Sequence, residues 1–132
     1  MGKFDQLLDR VKFDDKGLLT AVAQDKDNGE VLMVAFMNRE ALEQTLERRV
    51  ACYWSRSRGK LWVKGETSGN FQRIEHIYFD CDMDAVVMKI EQVGGACHTG
   101  YRSCFYREVE PDGALETVGV KVFDEEDVYG KR

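Results

Sequence analysis

Two apolar runs of strand length lie near the start of the chain, with a polar stretch between them. Residues 18–24 and 31–37 are rich in leucine, valine, alanine and methionine. The polar stretch contains Asn28-Gly29, a dipeptide that favours the tight turn of a β-hairpin. The pattern therefore predicts two antiparallel strands joined by a short loop.

The spacing of apolar residues becomes helical after the second run. Asn38 is a residue type that caps helix N-termini. Residues 39–49 place small or apolar side chains at helical intervals, at Ala41, Leu42, Thr45 and Leu46. We expect the main helix here. A second, shorter helix is expected from residue 124, because the acidic run Asp124-Glu125-Glu126-Asp127 suits the positive end of a helix dipole.

The other apolar segments are short and are separated by glycine-rich or charged turns. The predicted strands are residues 51–55, 61–64, 71–82, 85–92, 104–109 and 118–123. With one main helix, this pattern favours the α+β class with mainly antiparallel sheet. A length of 132 residues and a hydrophobic fraction of 43% are typical of one domain, which we assign to residues 1–132.

Charge and hydropathy exclude several classes of protein. The net charge of −5 argues against a nucleic-acid-binding protein, because phosphate contacts need excess positive charge. No apolar stretch approaches the ~20 residues that span a membrane. Charged residues interrupt the N-terminus where a signal peptide needs an apolar run. We therefore expect a cytoplasmic protein without membrane contact, whose thiols stay reduced.

Three aspartates alternate with other residues in Asp80-Cys81-Asp82-Met83-Asp84. In an extended strand, Asp80, Asp82 and Asp84 would share one face and Cys81 would point to the other. Three stacked carboxylates repel one another unless a cation binds them, and hard oxygen ligands favour Mg²⁺, Mn²⁺ or Ca²⁺. The alternative is a solvated acidic edge. We expect a site for one of these hard cations here and a soft metal on the opposite face.

Thiols provide the soft-metal ligands. Cys81, Cys97 and Cys104 lie in this region of the chain, and thiolates favour zinc. With three protein ligands, the fourth position of a tetrahedral site stays open to water, as in catalytic zinc sites. Two alternatives remain open: buried free cysteines, or a structural site with four thiolates completed by Cys52.

A basic segment in this acidic chain suggests an anion-binding wall. Trp54, Ser55, Arg56, Ser57 and Arg58 combine aromatic, hydroxyl and guanidinium groups, which suit a stacked base and a phosphate. The following turn adds more polar and flexible positions, at Lys64, Glu66, Thr67, Ser68 and Gly69. The alternative is a solvated basic hairpin. Local positive charge in a negative protein favours a small anionic ligand, such as a nucleotide, over a polymer.

Together these motifs resemble one enzyme family, the phosphoribosyl-AMP cyclohydrolases of histidine biosynthesis. The resemblance extends from about residue 18 to residue 123. The motifs that carry it are Asp80-Cys81-Asp82-Met83-Asp84, Gly94-Gly95-Ala96-Cys97-His98-Thr99-Gly100, Ser103-Cys104-Phe105, Trp54-Ser55-Arg56-Ser57-Arg58 and Lys64-Gly65-Glu66-Thr67-Ser68-Gly69.

The resemblance implies a reaction, two metals and an assembly. The implied reaction is hydrolysis of the N1–C6 bond of N1-(5-phosphoribosyl)-AMP, which gives the phosphoribosylformimino-aminoimidazole carboxamide ribonucleotide. It also implies zinc at Cys81, Cys97 and Cys104, with ligands from both subunits of an intertwined homodimer. The magnesium site would then lie at Asp80, Asp82 and Asp84.

His98 is the candidate for proton transfer. It directly follows Cys97, and imidazole titrates near neutral pH, so we expect it to act as general base or proton shuttle for the attacking water. The alternative is a structural histidine bonded to a carbonyl. A second function class also stays open, a zinc-stabilised module that binds nucleotides without converting them.

Overall fold

A computed structural model describes residues 2–124 of the chain. The elements in chain order are α1 (Asp5–Leu8), β1 (Leu19–Asp25), β2 (Val31–Met37), α2 (Arg39–Arg48), β3 (Cys52–Ser55), β4 (Lys60–Val63), β5 (Gln72–Phe79), β6 (Ala85–Gln92), β7 (Arg107–Val109) and β8 (Leu115–Thr117). The fold is α+β with mostly antiparallel strands and one main helix, as predicted. None of the helices in this part of the chain is long and apolar enough to cross a membrane.

The main sheet has the strand order β2-β1-β6-β5. The pairs β1–β2 and β5–β6 are antiparallel hairpins, whereas β1 and β6 pair in parallel. A parallel pair needs a long crossover between its strands, and here the intervening chain includes α2 and the β3–β4 hairpin. Sequence patterning had not predicted this parallel pair.

Alternating burial along β1 explains why the sheet packs on one face. Leu19, Ala21 and Ala23 are fully buried, while the residues between them are only partly covered. Period-2 alternation directs every second side chain to the core. The core-facing alanines are small, and they leave room for the larger buried residues of the neighbouring elements, among them Leu32, Met37, Leu42 and Met88.

Helix α2 forms where its cap and apolar spacing predicted it. The Asn38 side chain accepts a hydrogen bond of 2.8 Å from the backbone N–H of Ala41, which satisfies one of the free donors of the first turn. The helix ends at Arg48, and Arg49 adopts a left-handed conformation with φ of 57°. Thr45 is buried and its hydroxyl accepts a hydrogen bond of 2.9 Å from the Cys52 backbone N–H, which ties α2 to β3.

Several predicted elements have other bounds. Strand β5 ends at Phe79, so the prediction that residues 80–82 continue it is wrong. Of residues 104–109 only Arg107–Val109 form a strand, and residues 118–123 form none. In this C-terminal part of the chain, β7 pairs instead with β8, which was not predicted. A single bridge joins Tyr101 and Lys121.

Local hydrogen bonding explains the end of β5. The Asp80 carboxylate accepts backbone hydrogen bonds from Asp84 and Ala85, at 3.0 and 3.3 Å, and this closes a turn that competes with an extended chain. Met83 has a left-handed φ of 64° within the turn. The short helix α1 was also not predicted. The helix expected from residue 124 lies outside the described residues.

Candidate active site

Asp80, Asp82 and Asp84 meet at the β5–β6 turn. One ligand oxygen from each carboxylate lies within 4.8 Å of the others, and all three residues are exposed. Among residues 2–124 no other group of three or more histidine, cysteine or acidic side chains is this close. The predicted trio is therefore brought together, but by a turn and not by one face of a strand.

The three carboxylates interact strongly. Hydrogen bonds shared with Asp80 and Asp82 raise the pKa of Asp84 to about 6. For Asp80, slight desolvation acts to raise the pKa, but hydrogen bonds from Asp84, Asp82 and the backbone outweigh it and lower the pKa overall. One shared proton thus relieves the repulsion at acidic pH. A divalent cation would relieve it at neutral pH, so these oxygens fit a hard metal such as Mg²⁺.

Cys97 and Cys104 come together in the loop that follows β6. The Cys104 backbone N–H donates to the Leu32 carbonyl at 2.7 Å, which fixes the end of the loop against β2. Desolvation raises the pKa of the Cys104 thiol to about 12, and the adjacent Cys97 thiol adds to the shift through charge and a hydrogen bond. All four cysteines of the chain are free thiols. Cys104 lines a cleft and Cys97 is buried beside it. Two adjacent sulfurs of this kind fit a soft metal such as zinc.

A buried polar chain supports the start of this loop. Tyr53 donates to the Gln72 side chain at 2.6 Å, and Gln72 donates to Gln92 at 2.9 Å. Gln92 in turn donates to the carbonyls of Val93 and Gly95, at 3.0 and 3.4 Å. Burial raises the pKa of Tyr53, so its hydroxyl stays protonated and acts as the first donor. The chain thus links the core to the backbone just before Cys97.

Lys64 is buried next to the backbone of the cysteine loop. The residue is only 6% exposed, and its Nζ donates to the Ala96 carbonyl at 2.5 Å. Desolvation lowers the pKa of Lys64, while the nearby Cys104 and Cys97 sulfurs favour the charged form. The side chain is therefore buried and held against the cysteine loop, and the residue also lines the cleft next to that loop.

A cleft of about 810 Å³ connects the basic segment with the cysteine loop. The predicted substrate residues that line it are Ser55, Ser57, Arg58, Lys64, Glu66, Thr67 and Ser68, together with His98 and Cys104. Trp54, Arg56 and Gly69 do not line it. The guanidinium of Arg56 instead lies 4.1 Å from the centre of the Phe36 ring, on the outer face of the sheet.

Trp62 is an aromatic residue of the same basic segment, and it also belongs to the cleft wall. It lines the cleft, and its ring centre lies 5.1 Å from that of Tyr53 and 5.9 Å from Lys64 Nζ. The β3–β4 pairing sets Trp62 opposite Tyr53, which sequence alone did not establish.

Cys81 is far from the other two predicted zinc ligands within one chain. Cys81 belongs to the turn before Ala85, at the start of β6. Ala85 pairs with Thr20 on β1, and Thr20 pairs with Phe36 on β2. Cys104 is bonded at Leu32, four residues along β2 from Phe36. At about 3.3 Å per residue, the Cys81 turn and Cys104 are separated by roughly 13 Å along the strand direction. Across the strands they are separated by two further spacings of about 4.8 Å each. One chain therefore brings together only two of the three thiols.

Cys52 lies apart from all three. It is buried on β3, at a separate cavity of about 210 Å³ that Arg48, Trp62 and Glu66 also line. Desolvation raises the pKa of its thiol. Within the described part of the chain, no group of four thiols forms, so the four-thiolate alternative has no support inside one subunit.

Comparison with known proteins assigns the family. The family model of phosphoribosyl-AMP cyclohydrolase matches residues 33–106. The phosphoribosyl-AMP cyclohydrolase of Methanococcoides burtonii is 63% identical over 122 residues, which cover 92% of this chain and 98% of that protein. The enzyme of the same name from Chlorobium phaeovibrioides is 58% identical over 125 residues, which cover 95% of this chain and 91% of that protein. The chain therefore belongs to the phosphoribosyl-AMP cyclohydrolase family of enzymes.

Proposed function

We propose that this enzyme hydrolyses the N1–C6 bond of N1-(5-phosphoribosyl)-AMP and forms the phosphoribosylformimino-aminoimidazole carboxamide ribonucleotide of L-histidine biosynthesis. Family membership supports the reaction class. The observation that carries the assignment is the cleft, because it brings the anion-binding segment, His98 and the Cys104 thiol into one space. The enzyme would be located in the cytoplasm.

The cleft suits a ligand with two phosphates. Arg58 and Ser55 lie at one part of the wall, where the Arg58 backbone N–H donates to the Ser55 hydroxyl at 3.2 Å. Thr67 and Ser68 lie on the turn between Gly65 and Gly69, which both have left-handed φ values. Guanidinium, hydroxyl and backbone N–H groups bind phosphate through charge-assisted hydrogen bonds. Two separated groups of donors match the two phosphates of the substrate.

The zinc site would need two subunits. Cys97 and Cys104 already lie together, and the third ligand would be Cys81 of the partner subunit, since the same residue of the same chain is too distant. The assembly would then be a homodimer. Three thiolates leave a fourth tetrahedral position for water. Zinc in such a site supplies a Lewis acid that lowers the pKa of that water.

His98 would move the proton. It lines the cleft and directly follows Cys97, which supports a role for its imidazole in activating the water that would attack C6 of the purine. In the reaction, the water oxygen forms a bond to C6 and gives one proton to the base. The C6–N1 bond then breaks, N1 receives this proton, and the C6 hydroxyl loses the second proton of the water as the carboxamide carbonyl forms. A general base that accepts and delivers a proton in this way contributes about 10²–10⁴-fold to such rates.

A magnesium ion at Asp80, Asp82 and Asp84 would complete the centre. The carboxylates lie in the same turn as Cys81, so in a dimer both metals would approach the same cleft. The hard and soft ligands alternate along the turn, which would let each ion select its own donors.

The assay is turnover of N1-(5-phosphoribosyl)-AMP, followed by the ultraviolet change on opening of the purine ring. We expect turnover that a strong chelator abolishes and that added zinc and magnesium restore. Recovery of the nucleotide unchanged from the metal-loaded protein would instead favour a nucleotide-binding module.

A further inference from the structure

Lys64 is a buried cation without a carboxylate partner in the part of the chain that the structure describes. It follows β4, and its backbone N–H donates to the Ala51 carbonyl at 3.0 Å. Its ammonium group has one polar protein contact that the structure records, the 2.5 Å bond to the Ala96 carbonyl. No Asp or Glu within residues 2–124 forms an ion pair with it. Burial of an unpaired charge is costly, so proteins rarely keep one without a partner.

The cysteine loop is the part of the fold nearest to this charge. Lys64 and Cys104 line the same cleft, and the Ala96 carbonyl that Lys64 bonds belongs to the residue before Cys97. Zinc binds cysteine as the thiolate, so a zinc centre would place negative charge beside the buried ammonium.

The net charge of a three-thiolate zinc centre would be balanced by one lysine. Zinc carries two positive charges and three thiolates carry three negative ones, so the centre holds one excess negative charge. Lys64 supplies one positive charge at the inner side of the ligand loop. It also bonds the carbonyl of Ala96, the residue before Cys97, and thus holds the loop at the metal.

We propose that Lys64 is a positioning residue of the metal centre, whose buried charge neutralises the three-thiolate zinc site and whose bond to Ala96 orients Cys97. This inference rests on the proposed zinc site. It also changes the assignment of Lys64, which then binds no phosphate of the substrate. Neutralising the thiolates increases the Lewis acidity that three such ligands would otherwise weaken.

The test compares full-length native protein with Lys64→Met, which keeps the buried methylene chain and removes the charge. Zinc affinity is measured by competition with a chromophoric chelator, and the melting temperature of the metal-free protein is measured in parallel. We expect zinc affinity to fall about 10–100-fold, as for other groups that support metal ligands. The metal-free variant should melt at the native temperature or above it, because the unpaired buried charge is gone.

Lys64→Met should thus lower zinc affinity without lowering the melting temperature of the metal-free protein. Loss of a purely structural lysine would not produce this combination. Lys64→Arg keeps the charge and should retain native zinc affinity within about threefold. Lys16→Met removes an exposed lysine in a surface loop and is the control for net charge. A native affinity in Lys64→Met, equal zinc loss in Lys64→Arg, or a lower melting temperature of metal-free Lys64→Met would each overturn the proposal. Native protein that holds no zinc would overturn the proposed zinc site as well, and the native measurement alone distinguishes that outcome.

Discussion

The Arg102 guanidinium forms an ion pair with the Asp25 carboxylate, and this pair joins the cysteine loop to the end of β1. Arg102 also bonds Glu30 at 3.0 Å, on the far side of the β1–β2 turn. The loop between Cys97 and Cys104 contains no helix or strand of its own. This pair, the bond from Cys104 to Leu32 and the bond of 2.8 Å from the Ser103 hydroxyl to the Val31 carbonyl hold the loop against the sheet.

Asp25→Asn should loosen the loop and destabilise the protein. Burial alone would raise the pKa of Asp25, but hydrogen bonds from Asn28 and Asp27 and the charge of Arg102 outweigh it and lower the pKa. Removal of the charge should reduce the free energy of unfolding by about 1–3 kcal/mol at pH 7. Urea denaturation of both proteins measures this difference.

The pH dependence of that difference follows from its sign. A folded-state pKa below the ordinary aspartate value of 3.8 means that the carboxylate stabilises the fold above that pH. This stabilisation is lost as the pH falls through the folded-state pKa. The native protein and Asp25→Asn should therefore converge in stability in strong acid. A gap that stays constant from pH 7 to pH 3 would contradict the assigned charge effect.

Cys104→Ser or Cys97→Ser should lose tightly bound zinc and nearly all activity, because a hydroxyl is a much poorer ligand for a soft metal than a thiolate. Cys52→Ser is the matched control, since Cys52 lies at a separate cavity. It should keep both zinc and activity. Elemental analysis of the purified variants decides the outcome, and a zinc-free Cys52 variant would indicate a four-thiolate site.

A mixing experiment tests whether two subunits share the zinc ligands. Cys81→Ser and Cys104→Ser dimers should each be inactive. After unfolding and refolding together, a mixed dimer would combine Cys97 and Cys104 of one subunit with Cys81 of the other and rebuild one intact site. We expect partial recovery of zinc and activity in the mixture. Either variant unfolded and refolded alone should recover neither. If mixing recovers nothing although mixed dimers form, ligands are not shared in this way.

Asp82→Asn or Asp84→Asn should raise the magnesium requirement or abolish activity, while zinc content stays near native. The carboxylates are hard ligands that lie together, whereas thiolates hold the zinc, so the two metals would depend on different side chains. Asp15→Asn, at an exposed surface position, is the control. The measurements are a magnesium titration of activity and the zinc content of each variant. Simultaneous loss of both metals would contradict two separate ligand sets.

Arg58→Ala and His98→Ala should affect different kinetic constants. Loss of charge-assisted hydrogen bonds worth about 1.5–3 kcal/mol should raise KM roughly ten- to hundredfold in Arg58→Ala, with kcat little changed. Removal of a general base should lower kcat by ~10²–10⁴ in His98→Ala, with KM little changed. Steady-state kinetics checks both. An unchanged KM in the first variant, or a retained kcat in the second, would remove the corresponding assignment.

Local patterns determined much of this protein. The Asn28-Gly29 turn, the Asn38 cap and the short apolar segment 85–92 each predicted an element that the structure contains. In these segments short-range preferences and the burial pattern agree, so local sequence is sufficient. The ligand types were also readable, since alternating carboxylates and thiols select hard and soft metals whatever the fold.

Only the tertiary structure decided which of these groups meet. The Asp80 carboxylate bonds the backbone of Asp84 and Ala85, so the acidic segment forms a turn in place of the expected strand. The parallel pairing of β1 and β6 places Cys81 and Cys104 at opposite ends of the sheet, and the pairing of β3 with β4 turns Lys64 inward. These outcomes depend on contacts between residues far apart in sequence, and no local periodicity encodes such contacts.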